Sequence, residues 1–222
     1  MAAEPEHSVH IKSLELERLV FFSDAVFAIA ITLLVLDLRA PERTGLAPGA
    51  TLDAGLAHLA PKIVSFVMSF WVVGLYWFVH HRIFRHIRRW DEGLIWLNLL
   101  LLFWVAFLPF PVSVMGSFGD QRLAVVFYAG TLLMMGLSHL LLWRHASRDN
   151  RLLDPDFDPL EHRRIWSRSA VPPIVALAVI VLAFIVPKPG MAAFGFALIW
   201  PLQRILAPRA PRAAGRVRGT AR

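Results

Sequence analysis

Long apolar runs alternate with short polar segments along the chain, and this alternation is the first feature of the sequence. An α-helix needs roughly 20 apolar residues to cross the hydrocarbon core of a membrane, which is about 30 Å thick. Any single run could be a buried helix of a soluble protein, but the segments between the runs are too short to cover such a core. We therefore predict six membrane-spanning helices, over residues 19–38, 60–79, 94–114, 123–143, 170–186 and 191–207.

The last two runs are shorter than the others, and residues 187–190, Pro-Lys-Pro-Gly, predict a turn between them. The sixth run is the least regular, because it contains Pro201, Gln203 and Arg204. The first run is too long for the apolar core of a signal peptide, and no small-residue cleavage site follows it. We expect residues 1–207 to form one six-helix transmembrane domain and residues 208–222 to form a basic cytoplasmic tail.

The composition agrees with a membrane protein and excludes several other classes. Apolar side chains make up 57% of the 222 residues and charged ones 18%, whereas soluble domains have about 45–50% and about 25%. This apolar content excludes intrinsic disorder. The absence of cysteine excludes a disulfide scaffold, a thiol nucleophile and cysteine-bound zinc.

The basic residues predict the orientation, because cytoplasmic loops of membrane proteins are enriched in lysine and arginine. There are 23 basic and 16 acidic residues, for a net charge of +7. With the N-terminus inside, the cytoplasmic side holds Lys12, Arg18, Arg82, Arg85, Arg88, Arg89, Arg144, Arg148, Arg151, Arg163, Arg164, Arg168, Arg204, Arg209, Arg212, Arg216, Arg218 and Arg222. The other side holds Arg39, Arg43, Lys62, Arg122 and Lys188. Both termini are predicted to be cytoplasmic, and the excess charge indicates anionic lipid headgroups rather than nucleic acid as its partner.

The polar segment 144–168, between the fourth and fifth runs, mixes arginines with acidic residues. Its sequence Asp154-Pro-Asp-Phe-Asp-Pro lacks the glycine and the terminal glutamate of a calcium-binding EF-hand loop. We interpret the segment as a solvated linker that is partly helical near its end.

The first run carries polar side chains that a simple membrane anchor does not need: Ser23, Asp24, Thr32 and Asp37. A charged residue inside a membrane helix costs roughly 2.5–3.5 kcal/mol on insertion scales and usually faces protein or water. Arg18 lies six positions before Asp24, so the two are not neighbours on one helix face. A partner for Asp24 is therefore expected on another helix.

Two histidines at the end of the second run, His80 and His81, lie at the same predicted membrane depth as Asp24. We hypothesise that Arg18, Asp24 and one of these histidines form a polar cluster that joins the first span to the second. Asn98, inside the third run, is predicted to bond to another helix in a structural role.

The apolar residues Phe22, Val26, Ile29, Leu33 and Leu36 fall on one stripe of the first helix, with Thr32 close to it. Such a stripe is typical of an ordinary helix–helix contact. A pore wall is the alternative, and spacing alone does not separate the two.

Residues 18–37 resemble the signature of the transmembrane protein 175 family, R-x-x-x-F-S-D followed by A-I-x-x-T-x-x-x-L-D. The matching residues are Arg18-Leu-Val-Phe-Phe-Ser23-Asp24 and Ala28-Ile29-Ala30-Ile31-Thr32-Leu-Leu-Val-Leu-Asp37. The likeness extends through Trp77-Phe-Val-His80-His81 and through residues 98–111 of the third run. Members of this family are potassium-permeable channels of endolysosomes and prokaryotes.

The resemblance implies one six-helix repeat per chain, assembled as a homotetramer whose pore is lined by four copies of the first helix. It assigns Ile29 to a narrow hydrophobic constriction, Thr32 to a pore-facing position one turn further, and Leu33 and Leu36 to the remaining lining. Arg18, Ser23 and Asp24 take structural polar positions, with His80 or His81 as partner on the second span.

The function implied is a potassium channel of the cell membrane, of a bacterial plasma membrane in particular, with modest preference for K⁺ over Na⁺. Such a channel is not an enzyme and needs no cofactor and no metal centre. The sequence contains no loop like the TVGYG filter of other potassium channels, and it has no regular arginine series of a voltage sensor.

Two other functions are compatible with the polar residues. In a secondary transporter, Asp24 and Asp37 would bind a proton or a coupling ion, although the glycine and proline interruptions lie near span ends rather than at the midplane. In a haem protein, His80 and His139 could serve as opposed ligands.

Overall fold

The structure, a computed structural model, describes residues 6–41, 51–154 and 156–206, with side chains from Leu14 onward. The predicted basic tail, residues 208–222, lies outside these ranges. The described chain is helical apart from turns and one isolated β-bridge.

Seven α-helices are described, and short 3₁₀ helices lie between some of them. The α-helices are α1 (Glu6–Leu33), α2 (Leu52–Phe84), α3 (Glu92–Phe107), α4 (Pro109–Phe118), α5 (Arg122–Ser147), α6 (Pro159–Ile185) and α7 (Ile199–Leu206). The 3₁₀ helices are Leu34–Asp37, Arg148–Asn150 and Pro189–Leu198.

Five helical units in the described ranges are long and apolar enough to cross a membrane: Leu14–Asp37, Leu52–Phe84, Glu92–Phe118, Arg122–Asn150 and Pro159–Ile185. They overlap the first five predicted spans in order, and the first and fifth units end one residue before the predicted ends. The fifth begins well before residue 170, because Asp158 caps α6 by accepting a hydrogen bond from the Leu160 N–H, 2.8 Å away.

The third predicted span is interrupted where α3 meets α4. Pro109 and Pro111 have no N–H to donate to the preceding turn, so the regular hydrogen-bond ladder of α3 stops at Phe107. Because proline is tolerated in the first turn of a helix, α4 begins at Pro109.

The sixth predicted span is not one regular α-helix, and in this respect the prediction was wrong. Residues Pro189–Leu198 form a 3₁₀ helix, and Ile199–Leu206 form α7. A 3₁₀ helix rises about 2.0 Å per residue and an α-helix 1.5 Å, so the two pieces extend about 32 Å. This sixth segment is therefore about as long as the membrane core is thick.

The core of the bundle is built around α5, the most buried of the five long units, whereas α1 is the least buried. α5 packs against α3 and α6. A Cβ atom added to Gly136 would lie 2.7 Å from Pro173 Cδ, so glycine permits the close approach of α5 and α6. Between α2 and α5, the buried Tyr76 hydroxyl donates to the Leu132 carbonyl at 2.6 Å.

The two loops at the ends of α2 and α5 are joined to each other. Ile87 and Leu153 form the isolated β-bridge, and the Arg88 N–H donates to the Leu152 carbonyl at 2.8 Å. Leu152 and Leu153 are buried against Trp143 and neighbouring apolar side chains. The interpretation of 144–168 as a solvated linker was therefore wrong for this part, because its two leucines belong to a hydrophobic core.

Candidate functional site

The first helix has one face against the bundle and one face left open. Ser23, Phe27, Ala30 and Leu34 are buried, and their spacing of three or four residues places them on one side of the helix. They contact α2 and α3, so this side attaches α1 to the bundle.

The opposite face of the first span, which consists of α1 and the 3₁₀ helix Leu34–Asp37, carries four of the five residues of the predicted apolar stripe. Phe22, Ile29, Leu33 and Leu36 are 51%, 57%, 41% and 67% exposed, and Thr32 is exposed between them. Val26, the fifth residue of the stripe, is half-buried and packs against the core. A row of large apolar side chains is thus uncovered along the least buried helix.

The Thr32 hydroxyl is fixed by its own helix. Its Oγ1 donates to the Ile29 carbonyl at 2.8 Å. Since a hydroxyl has one donor and two acceptor lone pairs, this bond uses the donor and leaves acceptor capacity on the open face.

A buried chain of hydrogen bonds joins α1, α3 and α2 near the predicted cytoplasmic side. Asn98 Nδ2 donates to Ser23 Oγ at 2.9 Å, and Ser23 Oγ donates to the Leu19 carbonyl at 2.8 Å. Asn98 Oδ1 lies 3.0 Å from His80 Nε2, which must donate because an amide oxygen only accepts. The expected interhelical role of Asn98 is confirmed by these contacts.

Asp24 bonds to a residue that the sequence analysis did not name. Its Oδ1 accepts from Trp77 Nε1 at 2.9 Å, instead of contacting one of the two histidines directly. Trp77 lies one turn before His80 and His81 on α2, which brings its indole to the depth of Asp24. The exposed His81 ring lies 5.6 Å from the Trp77 ring, and Arg18 is exposed on α1.

The opposite end of the first span is held by a second polar contact. Ser113 Oγ donates to Asp37 Oδ1 at 2.8 Å, and Lys62 Nζ lies 3.6 Å from Asp37 Oδ2. Sequence reasoning missed both partners. The signal for Lys62 was present, because it is the single charged residue within the predicted second span.

Two of the described histidines, His80 and His139, were predicted as possible metal ligands, and their neighbours decide whether a metal centre could form. Within the described ranges, no group of three or more histidine or acidic side chains could hold a metal ion. The His80 and His139 rings lie 6.1 Å apart, and His139 Nδ1 is 3.1 Å from the Met135 carbonyl of its own helix.

Known proteins resemble this chain in sequence and in fold. The sequence profile of a family described as the endosomal/lysosomal potassium channel TMEM175 matches residues 18–109. A potassium channel of Streptomyces collinus is 34% identical over 87% of this chain and 95% of its own length. The chain belongs to the TMEM175 family.

Two further TMEM175 relatives bear on the architecture. A crystal structure of a lysosomal potassium-selective channel TMEM175 homologue from Chamaesiphon minutus has a TM-score of 0.74 and 31% identity, and the match covers 87% of this chain and 99% of that one. The human endosomal/lysosomal proton channel TMEM175 is 26% identical over 89% of this chain but only 42% of its own length. The helical fold described above is therefore that of a TMEM175 channel in a membrane.

Proposed function

We propose that four copies of this chain assemble around α1 to form a potassium-permeable cation channel. The observation that carries this proposal is the division of the first span, one face of which packs on the bundle while Ile29, Thr32, Leu33 and Leu36 remain uncovered. Two bacterial relatives are named as potassium channels, which supports K⁺ as the permeant ion.

The lining residues suggest how such a pore would discriminate between ions. A ring of four Ile29 side chains offers no oxygen ligand, so it would act as a hydrophobic constriction that an ion passes only after losing part of its water. K⁺ holds its water less tightly than Na⁺, so the free energy needed to remove part of that water at such a ring is lower for K⁺. The Thr32 oxygens, with acceptor lone pairs free, would form a coordinating layer beside it.

The setting we propose is the plasma membrane of a bacterium, with both termini in the cytoplasm and the arginine-rich loops against anionic headgroups. Two bacterial relatives match this chain over 95% and 89% of their own length, which supports one unit per chain. The match covers only 42% of the human protein, which is therefore longer than one such unit.

A coupled transporter that uses Asp24 and Asp37 receives less support. Asp24 accepts a hydrogen bond from Trp77, and Asp37 contacts Ser113 and Lys62, so both carboxylates have protein partners. A carboxylate that carries a proton or ion through a transport cycle must exchange its partner for that ion.

Planar-bilayer recording of the purified protein in asymmetric KCl and NaCl tests the channel. We expect single-channel currents whose reversal potential is displaced from zero toward the K⁺ equilibrium potential. Ile29→Asn should change the conductance and lower the K⁺/Na⁺ permeability ratio by several-fold, because the amide oxygen at the constriction can coordinate either ion.

Ile174→Asn is the matched control, since Ile174 on α6 is 62% exposed and Ile29 is 57% exposed. The control should keep the wild-type permeability ratio. Unchanged conductance and selectivity in Ile29→Asn would mean that the constriction lies elsewhere. A reversal potential at zero would remove the preference for potassium.

A further inference from the structure

A long apolar groove lies between α2, α6 and the sixth segment, away from α1. Its volume is about 720 Å³. α2 lines it from Val67 to Arg82, which at 1.5 Å per residue is about 22 Å of helix. This exceeds the half of the core, about 15 Å, that one lipid leaflet fills. Trp71 and Trp200 on its rim are 68% and 54% exposed, so the groove opens toward the surrounding membrane.

The groove is apolar along most of its length and basic at one end. The apolar part includes Val67, Met68, Leu75 and Phe196, whereas the basic end holds Arg82, Arg168 and Arg204. The Arg82 guanidinium carbon lies 5.4 Å from the centre of the Phe78 ring, and that of Arg204 lies 4.7 Å from Trp200. These cation–π contacts hold two of the charges at the groove.

No acidic side chain lines the groove to balance these three charges. Within the described ranges, none of the three arginines forms an ion pair with a carboxylate. Two polar atoms at this end, Arg168 Nε and Ser169 Oγ, are buried without a hydrogen-bond partner in the described part of the chain. Positive charge at the boundary of a membrane core is stabilised by an anion, and guanidinium groups bind phosphate oxygens particularly well.

We propose that this groove binds one anionic phospholipid per chain. Its acyl chain lies along α2 and the sixth segment, and its phosphate contacts Arg82, Arg168 and Arg204. A phospholipid satisfies both parts of the site, because it is apolar over the length of the groove and anionic at the end where the arginines lie. The site is independent of the proposed pore, since no residue of α1 lines it.

The test is a titration of the purified full chain with phosphatidylglycerol, read by native mass spectrometry as the number of lipids retained per chain. The variant Arg82→Gln/Arg168→Gln/Arg204→Gln removes the basic end of the groove. One basic residue near an anionic lipid contributes a factor of about 5 in affinity. We therefore expect at least about 20-fold weaker phosphatidylglycerol binding in the triple variant, and phosphatidylcholine binding should change little.

The matched control is Arg85→Gln/Arg89→Gln/Arg163→Gln, which removes the same charge from exposed positions outside the groove. It should weaken phosphatidylglycerol binding by less than about threefold. Equal losses in the two variants would overturn the proposal in favour of diffuse attraction to the basic surface. Unchanged binding in the groove variant would overturn it outright.

A second variant tests the apolar part and leaves the arginines in place. Ala197→Trp adds an indole inside the groove, where Ala197 is exposed. We expect loss of the retained phosphatidylglycerol with unchanged elution in size-exclusion chromatography. Soluble glycerol phosphate should not displace the lipid, because it lacks the acyl chain. A change of oligomeric state with unchanged lipid binding would show that a second copy of the chain covers the groove, and would contradict the proposal.

Discussion

Asn98 is the residue that joins α1 to two other helices at once, since its single amide contacts both Ser23 and His80. All three side chains are buried, so water cannot replace either bond. Removing the amide would leave the His80 Nε2–H without its acceptor. A buried group left unpaired costs about 1–3 kcal/mol, although side-chain bonds between membrane helices average about 0.6 kcal/mol.

We predict that Asn98→Ala lowers the free energy of unfolding by about 1–2 kcal/mol. Thermal melting in detergent, followed by size-exclusion chromatography, measures the change. Ser138→Ala is the control, because the buried Ser138 hydroxyl bonds only to the Met134 carbonyl of its own helix. The interhelical role of Asn98 would be contradicted by equal losses in the two variants.

Asp91, just outside the membrane spans, is a charged residue that contacts several partners, as Asn98 does inside them. It caps α3 by accepting from the Leu94 N–H at 2.8 Å, and His145 Nε2 and Arg151 Nη2 each lie 2.8 Å from its carboxylate. Burial raises the pKa of Asp91. The hydrogen bonds from His145 and Leu94, together with the charges of His145 and Arg151, lower it by more, so the pKa lies below 3.8. The charged form is therefore favoured by folding.

A lowered carboxyl pKa stabilises the fold above the ordinary value of 3.8, and this contribution is lost as the pH falls through the folded-state pKa. We predict that Asp91→Asn, which keeps the helix cap, melts about 1–3 °C below wild type at pH 7. The difference should shrink as the pH falls below 3.8 and through the lowered pKa of Asp91. Asp120→Asn, at an exposed loop position, is the control and should show no such dependence. A difference that stays constant as the pH falls below 3.8 would assign the effect to something other than the charge.

At the scale of the helices, the close contact of α5 and α6 depends on one residue without a side chain. A Cβ atom at Gly136 would lie 2.7 to 2.9 Å from carbon atoms of Pro173, and a proline ring inside a helix cannot move aside without bending that helix. Gly130, on the same helix, has no atom within 4 Å of the same position.

Gly136→Ala is therefore predicted to destabilise the protein by about 1–3 kcal/mol, the usual cost of overpacking. Gly130→Ala should be neutral or slightly stabilising, because alanine favours a helix by up to about 1 kcal/mol over glycine. Melting temperatures of the two variants measure this difference. Equal melting temperatures would show that α6 yields to the added methyl group.

The sequence predicted the apolar elements better than their local geometry. Hydrophobic length identified the first five spans, because the membrane imposes it on every helix. It did not predict the break at Pro109 or the 3₁₀ form of Pro189–Leu198. These depend on which backbone bonds neighbouring helices leave available. The burial of Leu152 and Leu153 was equally invisible, because a pair of leucines in a charged segment has no periodicity.

For the site, the sequence and the family resemblance gave the residue types, while the three-dimensional pairings needed the structure. The polar residues of the first span stood out as costly exceptions in an apolar helix, and Asn98 stood out in the third. Which side chain met which was not predictable, since Trp77 and His80 lie one turn apart on α2 and either could have reached Asp24. In the structure, Asp24 accepts a hydrogen bond from Trp77, and Asn98 accepts one from His80.

At the scale of the whole molecule, the described residues of a single chain leave one face of α1 exposed. Because the chain contains no cysteine, one introduced thiol reports its own position alone. In a tetramer around α1, four copies of residue 29 lie close to the axis. We predict that Ile29→Cys forms disulfide-linked dimers under oxidation in membranes, as judged by non-reducing gels.

Ile174→Cys provides the control, at a comparable exposed fraction on α6. It should remain monomeric on the same gel. Cross-linking through residue 174 but not through residue 29 would place the contact between copies on another face, and the arrangement around α1 would be wrong.

The two polar attachments of α1 also limit how that helix can turn about its own axis. Ser23 and Asp37 are separated by about 23 Å along the first span, which ends in the 3₁₀ helix Leu34–Asp37, and they are bound to α3 and α4 respectively. Rotation by even one residue, about 100°, would carry both side chains away from their acceptors and donors together. Substitutions on the open face between Ser23 and Asp37 therefore alter the chemistry of that face without changing how the first span is rotated relative to the bundle.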